Sequence, residues 1–162
     1  MPERENALAA CRPPTRPDIV WIEPGFALGS RPYDYQRQAI ARLGIQVVVA
    51  LHETGTEEAR AWQALGVRLV PFPTPDWIEI PFINFDRVVA VIGTCLDADQ
   101  PVLLHCLAGL NRAPTFAAAV LCRRQGMSVD SALAAVQRAR PAAKPTSEQE
   151  RSLRQWHARR CK

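Results

Sequence analysis

Residues 102–115 have the sequence VLLHCLAGLNRAPT, which is the most informative segment of the chain. Its first three residues are apolar and predict a short buried strand. The apolar positions that follow predict a helix over residues 113–124 that ends at Gly126. Between strand and helix lies a tight loop, residues 106–112. In α/β proteins a strand, a tight loop and a helix in this order form the ligand-binding edge of the sheet.

Strands and helices alternate on the amino-terminal side of this stretch, and helices follow it. We predict strands at residues 19–23, 26–29, 45–51 and 67–71, helices at residues 33–43, 56–65, 82–96, 128–140 and 146–160, and a proline-rich loop at residues 72–81. Predicted N-caps are Thr56, Ser128 and Thr146, the last in a capping box with Gln149. The alternation predicts an α/β fold, a single domain with a central, mainly parallel sheet flanked by helices.

The length and composition suit one globular domain. The chain has 162 residues, 48% of them hydrophobic and 22% charged. We expect a flexible N-terminal arm at residues 1–17, rich in proline and charge, followed by one domain at residues 18–162. No apolar run is long enough to cross a bilayer and no secretory signal is evident, so we expect a cytoplasmic protein without a transmembrane segment.

Cysteine, histidine and charge bound the possible functions further. Five scattered cysteines predict free thiols, and with three dispersed histidines they predict no metal site. The net charge of +4 lies mostly toward the C-terminus. This excess of positive charge favours an anionic partner. The alternative is that the basic side chains form a solvated helix face.

The loop at residues 106–112 has the parts of an anion site. Backbone N–H groups of a tight loop at a helix N-terminus lack intrahelical partners and, with the helix dipole, attract an anion. The same field stabilises a thiolate at Cys106, and the planar fork of Arg112 suits two phosphoryl oxygens. Gly109 permits a backbone conformation that a side chain would hinder. The predicted phosphate-binding residues are Leu107, Ala108, Gly109, Leu110, Asn111 and Arg112. Nucleophile, amide cradle and guanidinium are what phosphoryl transfer requires, and no cofactor is needed.

The motif His-Cys-x-x-Gly-x-x-Arg at residues 105–112 resembles the signature of the protein tyrosine phosphatase superfamily, and the chain's size and pattern resemble its small dual-specificity branch. The resemblance implies that Cys106 attacks a phosphomonoester to form a phosphocysteine, and that His105 organises the loop. The expected substrate is a phosphorylated protein, with phosphotyrosine as the first target and phosphoserine or phosphothreonine as further targets; nucleic acid is not the expected partner.

The family also uses a general acid on a loop before the helix that precedes the cysteine strand. Asp76 occupies such a place, and its alternative role is to stabilise the turn of its own loop. Glu79 is the nearest rival; Asp34 and Asp86 fall in predicted helices. The neighbouring Trp77 lines the pocket or belongs to the core.

Ala113 departs from the pattern, because most family members have Ser or Thr directly after the arginine. A hydroxyl there eases departure of the sulfur when the phosphocysteine is hydrolysed, so we expect slow turnover; Thr115 is expected to point elsewhere. The loop in this respect resembles the phosphatases of regenerating liver. Those proteins carry a second, regulatory cysteine near the strand end where this chain has Leu51, His52 and Glu53, and Cys95 or Cys122 is a possible substitute.

Three functions therefore remain open from sequence. The first is a tyrosine or dual-specificity phosphatase. The second is a phosphate-binding interaction module with weak catalysis, which Ala113 favours. The third keeps the chemistry but takes phosphoinositide or RNA 5′ phosphates as substrate.

Asn111 either braces the loop through its side chain or faces solvent.

Overall fold

The computed structural model describes residues 14–160, and side chains for residues 14–159. The strands are β1 (Ile19–Glu23), β2 (Phe26–Gly29), β3 (Val47–Ala50), β4 (Arg68–Pro71) and β5 (Val102–His105). The helices are α1 (Arg37–Arg42, preceded by a 3-10 turn at Asp34–Gln36), α2 (Thr56–Ala64), α3 (Phe82–Asp97), α4 (Arg112–Gln125), α5 (Val129–Ala139) and α6 (Ser147–Arg160). The predicted α/β fold is confirmed.

All five strands form one sheet in the order β1-β2-β5-β3-β4. β1 pairs with β2 in the antiparallel sense, and every other pair is parallel. The mainly parallel sheet predicted from the alternation of strands and helices is therefore confirmed. Parallel strands end at a common edge, so the loops after β2, β3, β4 and β5 all begin on the same side of the molecule.

The three central strands, β2, β5 and β3, are buried along their whole length, whereas the edge strands β1 and β4 are only half-buried. Alternate side chains of a strand point to opposite faces, so each central strand serves two cores. On one face Val49 and Leu104 pack with residues of α3, α4, α5 and α6; on the other Val48 and Leu103 pack with Ile40 and Trp62.

Helix ends show which capping predictions succeed. The Ser128 hydroxyl accepts a hydrogen bond from the Ser131 N–H at 3.2 Å. Thr146 and Gln149 form the predicted capping box, with bonds of 3.0 and 3.2 Å. The prediction of Thr56 as an N-cap was wrong: Gly55 is the cap and Thr56 is the first helical residue. Glycine is tolerated at an N-cap at a cost of only a few tenths of a kcal/mol relative to Ser, Thr, Asn or Asp, although it makes no side-chain bond.

The N-terminal arm is a prediction that falls largely on residues 1–13, outside the described part of the chain. Its last residues contact the domain, since the carbonyl of Pro14 accepts hydrogen bonds from Tyr35 and Gln36. None of the helices within residues 14–160 is long and apolar enough to cross a membrane.

Candidate active site

The candidate site lies at the edge where the parallel strands end. β5 leads directly into Cys106, and β3 into Leu51. β2 leads into Ser30, and β4 into the proline-rich loop that carries Asp76. Residues that are far apart in sequence therefore meet at one edge of the sheet, as the prediction from residues 102–115 requires.

The loop between β5 and α4 is packed tightly against the end of β2. Gly109 has a φ of 68°, and a side chain there would bring its Cβ within 2.6 Å of the Gly29 carbonyl and 2.8 Å of the Ser30 nitrogen. Glycine is thus required both by the backbone conformation and by the close approach. Cys106 is only 3% exposed and Leu107 is 63% exposed, so the cysteine forms the floor of the loop and Leu107 part of its rim.

Arg112 is held by backbone carbonyls of the segments that follow β3 and β4. Its Nη1 donates to the carbonyls of Leu51, at 3.0 Å, and Thr74, at 2.9 Å. Its Nη2 forms an ion pair with Asp76, and its buried Nε has no hydrogen-bond partner in the described part of the protein. The guanidinium is therefore fixed in orientation while keeping an N–H that is available to an oxyanion.

Asp76 joins this arrangement from the proline-rich loop. Its Oδ2 lies 3.0 Å from Nη2 of Arg112, and its Oδ1 accepts a hydrogen bond from the Trp77 N–H at 3.0 Å. The side chain is 28% exposed, so it borders both the guanidinium and solvent. The structure thus places Asp76 next to the loop at residues 106–112. Asp76 also makes the contact expected of a residue that stabilises the turn of its own loop, the hydrogen bond from Trp77.

The rival acids are occupied elsewhere. Glu79 is 66% exposed and pairs with Arg151 of α6 at 3.0 Å. Asp34 pairs with Arg37, and Asp86 accepts a hydrogen bond from the indole of Trp156. Within the described residues no group of three or more His, Cys, Asp or Glu side chains has the arrangement of a metal site.

A pair of histidines lies behind the loop. His105 is fully buried, and its Nδ1 is 3.2 Å from the carbonyl oxygen of Cys106. Burial lowers the pKa of His105 to about 3, and burial also lowers the pKa of His52, whose ring centroid is 5.2 Å away. Because a carbonyl only accepts, the neutral ring of His105 carries its proton on Nδ1 and donates it to the loop.

The start of α4 explains the departure at Ala113. Ala113 is fully buried and supplies no hydroxyl. The hydroxyl of Thr115 donates to the carbonyl of Asn111 at 2.7 Å, so it is committed to the helix backbone, as predicted. The side chain of Asn111 donates to the carbonyl of Lys144 at 2.7 Å, which decides in favour of bracing.

Other predictions concern the remaining cysteines and Trp77. Cys95 and Cys122 are free and buried, and burial raises the pKa of Cys122 to about 11. A thiol in this state is a poor attacking group at neutral pH, which argues against a redox role for Cys122. Trp77 is 65% exposed with a φ of 65°, so it lies beside Asp76 at the surface and not in the core.

Sequence reasoning missed Arg140, which contacts the loop from outside. Its Nε donates to the carbonyl of Gly109 at 2.7 Å and its Nη2 to that of Ala108 at 3.2 Å. Several other basic residues of the C-terminal half, such as Arg124 and Arg154, are in ion pairs at the surface. Part of the basic excess therefore consists of paired side chains, and sequence alone did not distinguish Arg140 from the other basic residues.

Comparison with known proteins agrees with this geometry. Residues 28–159 match the family described as dual specificity phosphatase, catalytic domain. Dual specificity protein phosphatase 22-B from Danio rerio is 27% identical over 135 residues, or 83% of this chain and 72% of that protein. Dual specificity phosphatase 28 from Homo sapiens is 26% identical over 133 residues, or 82% and 73%. The crystal structure of Tk-PTP in the active form has a TM-score of 0.82 at 28% identity, over 88% of this chain and 98% of that one.

Proposed function

The chain belongs to the dual-specificity phosphatase family and is therefore a cysteine-based protein phosphatase, and we propose that Cys106, Arg112 and Asp76 are its catalytic residues. The observation that carries this assignment is the ion pair of 3.0 Å between Asp76 and Arg112 at the mouth of the loop. It joins the loop after β4 to the loop after β5, so the acid and the phosphate-binding guanidinium share one site.

In the proposed reaction the thiolate of Cys106 attacks phosphorus while the bond from phosphorus to the substrate oxygen breaks. Asp76 gives its proton to that oxygen, so an alcohol or phenol departs and a phosphocysteine remains. The ionised Asp76 then accepts a proton from water. That water attacks phosphorus, expels the thiolate and releases inorganic phosphate.

The protein's contribution to both steps is electrostatic. Inward N–H groups of the loop and the guanidinium of Arg112 bind the phosphoryl oxygens and stabilise the charge that develops on them. The hydrogen bonds from Arg112 to the carbonyls of Leu51 and Thr74 keep the guanidinium in place before substrate arrives. Such preorganisation reduces the cost of reorienting dipoles during reaction.

The direct test is turnover of a phosphotyrosine peptide and of an aryl phosphate by the wild type and by Cys106→Ser. We expect the Ser variant to lose turnover while it still binds inorganic phosphate. Cys122→Ser is the matched control, because Cys122 is also a buried thiol but lies on α4, outside the loop. Full turnover by Cys106→Ser, or equal loss in Cys122→Ser, would refute the assignment.

A second candidate function is favoured by Ala113. With no hydroxyl at this position and that of Thr115 bonded to Asn111, the phosphocysteine lacks a donor to ease its hydrolysis. A protein that hydrolyses this intermediate slowly would dephosphorylate little substrate at steady state and would act mainly as an interaction module. A burst of product followed by a steady rate at least about a hundredfold lower would favour this function.

We propose that the substrates are phosphotyrosine proteins in the cytoplasm, together with phosphoserine and phosphothreonine proteins. A panel of matched phosphotyrosine and phosphoserine peptides, a phosphoinositide in vesicles and a 5′-triphosphorylated RNA tests the choice. Preferential turnover of the lipid or the RNA would contradict it.

A further inference from the structure

The outward carbonyls of the loop are all bonded to groups outside it. Four consecutive carbonyls, those of residues 107–110, accept hydrogen bonds from outside the loop. Two of them bind the side chain of Arg140, and the other two bind backbone N–H groups. The bonds are Arg31 N–H to Leu107 (2.9 Å), Arg140 Nη2 to Ala108 (3.2 Å), Arg140 Nε to Gly109 (2.7 Å) and Lys144 N–H to Leu110 (2.7 Å). The loop is thus fixed from behind at every peptide between residues 107 and 111.

This pattern matters because a peptide unit is planar and trans, so its carbonyl and the following N–H point in opposite directions. A donor that fixes the carbonyls of Ala108 and Gly109 on the outside therefore fixes the N–H groups of Gly109 and Leu110 on the inside. Those N–H groups are among the predicted phosphate donors. Of the external donors to the four carbonyls, only Arg140 is a charged side chain, and charge-assisted hydrogen bonds are roughly twice as strong as neutral ones.

Arg140 is itself held in place. It is 7% exposed at the end of α5, and its Nη1 and Nη2 bind the two carboxylate oxygens of Asp18 at 2.9 and 2.6 Å. The hydrogen bond from Arg140 lowers the pKa of Asp18, so the pair stays ionised at neutral pH. The backbone carbonyl of Asp18 also accepts from Ser30, which lies against Gly109.

We propose that Arg140 is a positioning residue for phosphate binding: through the carbonyls of Ala108 and Gly109 it holds the inward N–H groups of the loop in the geometry that binds the phosphoryl group. Asp18 fixes the orientation of Arg140 and does not touch the loop carbonyls. This role rests on the proposed function of the loop. A purely structural role, in which Arg140 only ties α5 to the segment before β1, predicts lower stability with unchanged phosphate affinity.

The experiment measures binding of inorganic phosphate and thermal unfolding of the same variants. Arg140→Lys keeps the charge, but a single compact ammonium cannot occupy the separate positions from which Nε, Nη1 and Nη2 of Arg140 contact two carbonyls and a carboxylate. We expect its Kd for phosphate to rise about tenfold, with a matching rise in KM for an aryl phosphate, in a protein that remains folded at the assay temperature. The matched control is Arg138→Lys, two residues earlier on α5 with an exposed side chain, and its Kd stays at the wild-type value.

Asp18→Asn provides a second, milder variant. It leaves both carbonyl bonds of Arg140 available but weakens its orientation, so we expect a rise in Kd of about twofold to fivefold. Unchanged phosphate affinity in folded Arg140→Lys or Asp18→Asn overturns the proposal, whatever happens to stability. The proposed catalytic function fails separately, if the wild type binds phosphate but does not turn over phosphoester.

Discussion

Asp76 is paired with Arg112 at 3.0 Å, so the proposed acid contacts the residue proposed to bind the phosphoryl group. The Nη1 of Arg112 is already bonded to two backbone carbonyls, and Nε has no partner within the described residues. A phosphoryl group that is gripped by two nitrogens must therefore use Nε and Nη2. We therefore expect substrate to compete with Asp76 for Nη2, and binding of substrate to release the carboxyl for the proposed proton transfer.

Replacing Asp76 by Asn tests this competition. The amide has no charge to hold Nη2 and no proton to give, so binding and chemistry should change in opposite directions. We expect the Kd for inorganic phosphate to fall about twofold to fivefold, the range of a partly exposed ion pair. We expect kcat for an alkyl or peptide phosphate to fall about a hundredfold or more. Phosphate titration and steady-state kinetics at one pH measure both effects.

Glu79→Gln is the control for Asp76→Asn. It neutralises a carboxylate three residues along the same loop, one that pairs with Arg151 at the surface. Both Kd and kcat should stay at wild-type values. If Glu79→Gln lowers kcat as much as Asp76→Asn does, the acid has been assigned to the wrong residue.

Ala113→Ser should restore the missing hydroxyl at the start of α4. The added oxygen is able to donate to the sulfur as it leaves phosphorus, and a hydrogen bond to a charged group is worth about 1.5–3 kcal/mol. We expect the steady-state rate to rise about tenfold and any product burst to shrink. Rapid-quench measurement of phosphocysteine during turnover reports both quantities.

Thr115→Val is the matched variant for this prediction. It removes a hydroxyl that is bonded to the Asn111 carbonyl, while the helix N–H of Thr115 still donates to that carbonyl at 3.2 Å. Its phosphocysteine should decay at the wild-type rate. Faster decay in Ala113→Ser with no change in Thr115→Val supports the account; an unchanged Ala113→Ser contradicts it.

The sequence predicted those parts of the site that are local. Residues 102–115 encode strand, loop and helix within a short stretch, so hydrophobic pattern, Gly109 and the helix start predict the cradle together. The capping box at Thr146 and Gln149 is local too, and its prediction was confirmed. Asp76 was proposed through the family resemblance, which implies an acid on the loop before the helix that precedes the cysteine strand.

The parts that sequence did not predict depend on long-range contacts. Arg140 and Asp18 are 122 residues apart, and Arg112 is 61 residues from the carbonyl of Leu51. A basic residue at the end of a helix has the same local pattern whether it faces solvent or the back of a loop. Backbone carbonyls carry no side-chain signal, so only the fold identifies them as partners of Arg112.

Acid should destabilise the protein through His105. The pKa of this residue is about 3 in the folded state and about 6.5 when unfolded, so below pH 6.5 the unfolded chain binds a proton that the folded protein does not. The contribution of neutral His105 to the free energy of unfolding is therefore fully present above about pH 6.5, and it decreases as pH falls from 6.5 toward 3. We expect a loss of about 1.4 kcal/mol per pH unit from this residue, measured by urea denaturation at pH 7, 6 and 5.

His105→Asn separates this effect from other titrating groups. The variant keeps a short donor near the Cys106 carbonyl but has no proton to gain, so its stability should depend less steeply on pH between 7 and 5. His52 contributes in the same direction, because burial also lowers its pKa, and His52→Asn measures that share. A slope in His105→Asn equal to that of the wild type would show that His105 is not kept neutral by folding.

Gly109→Ala tests the tight packing of the loop against β2. Two glycines of this chain have nearly the same positive φ, 68° at Gly109 and 66° at Gly126, but only the first has backbone atoms where a Cβ would lie. Gly126→Ala should therefore lower the free energy of unfolding by only about 1 kcal/mol, the cost of placing a residue other than glycine in the left-handed conformation. Gly109→Ala should cost about 3 kcal/mol or more, because the Gly29 carbonyl cannot move without shifting the sheet. Gly109→Ala should also abolish phosphate binding. If urea denaturation gives equal losses for the two variants, the loop is free to move away from Gly29, and the bonds on its outer carbonyls do not hold it rigidly.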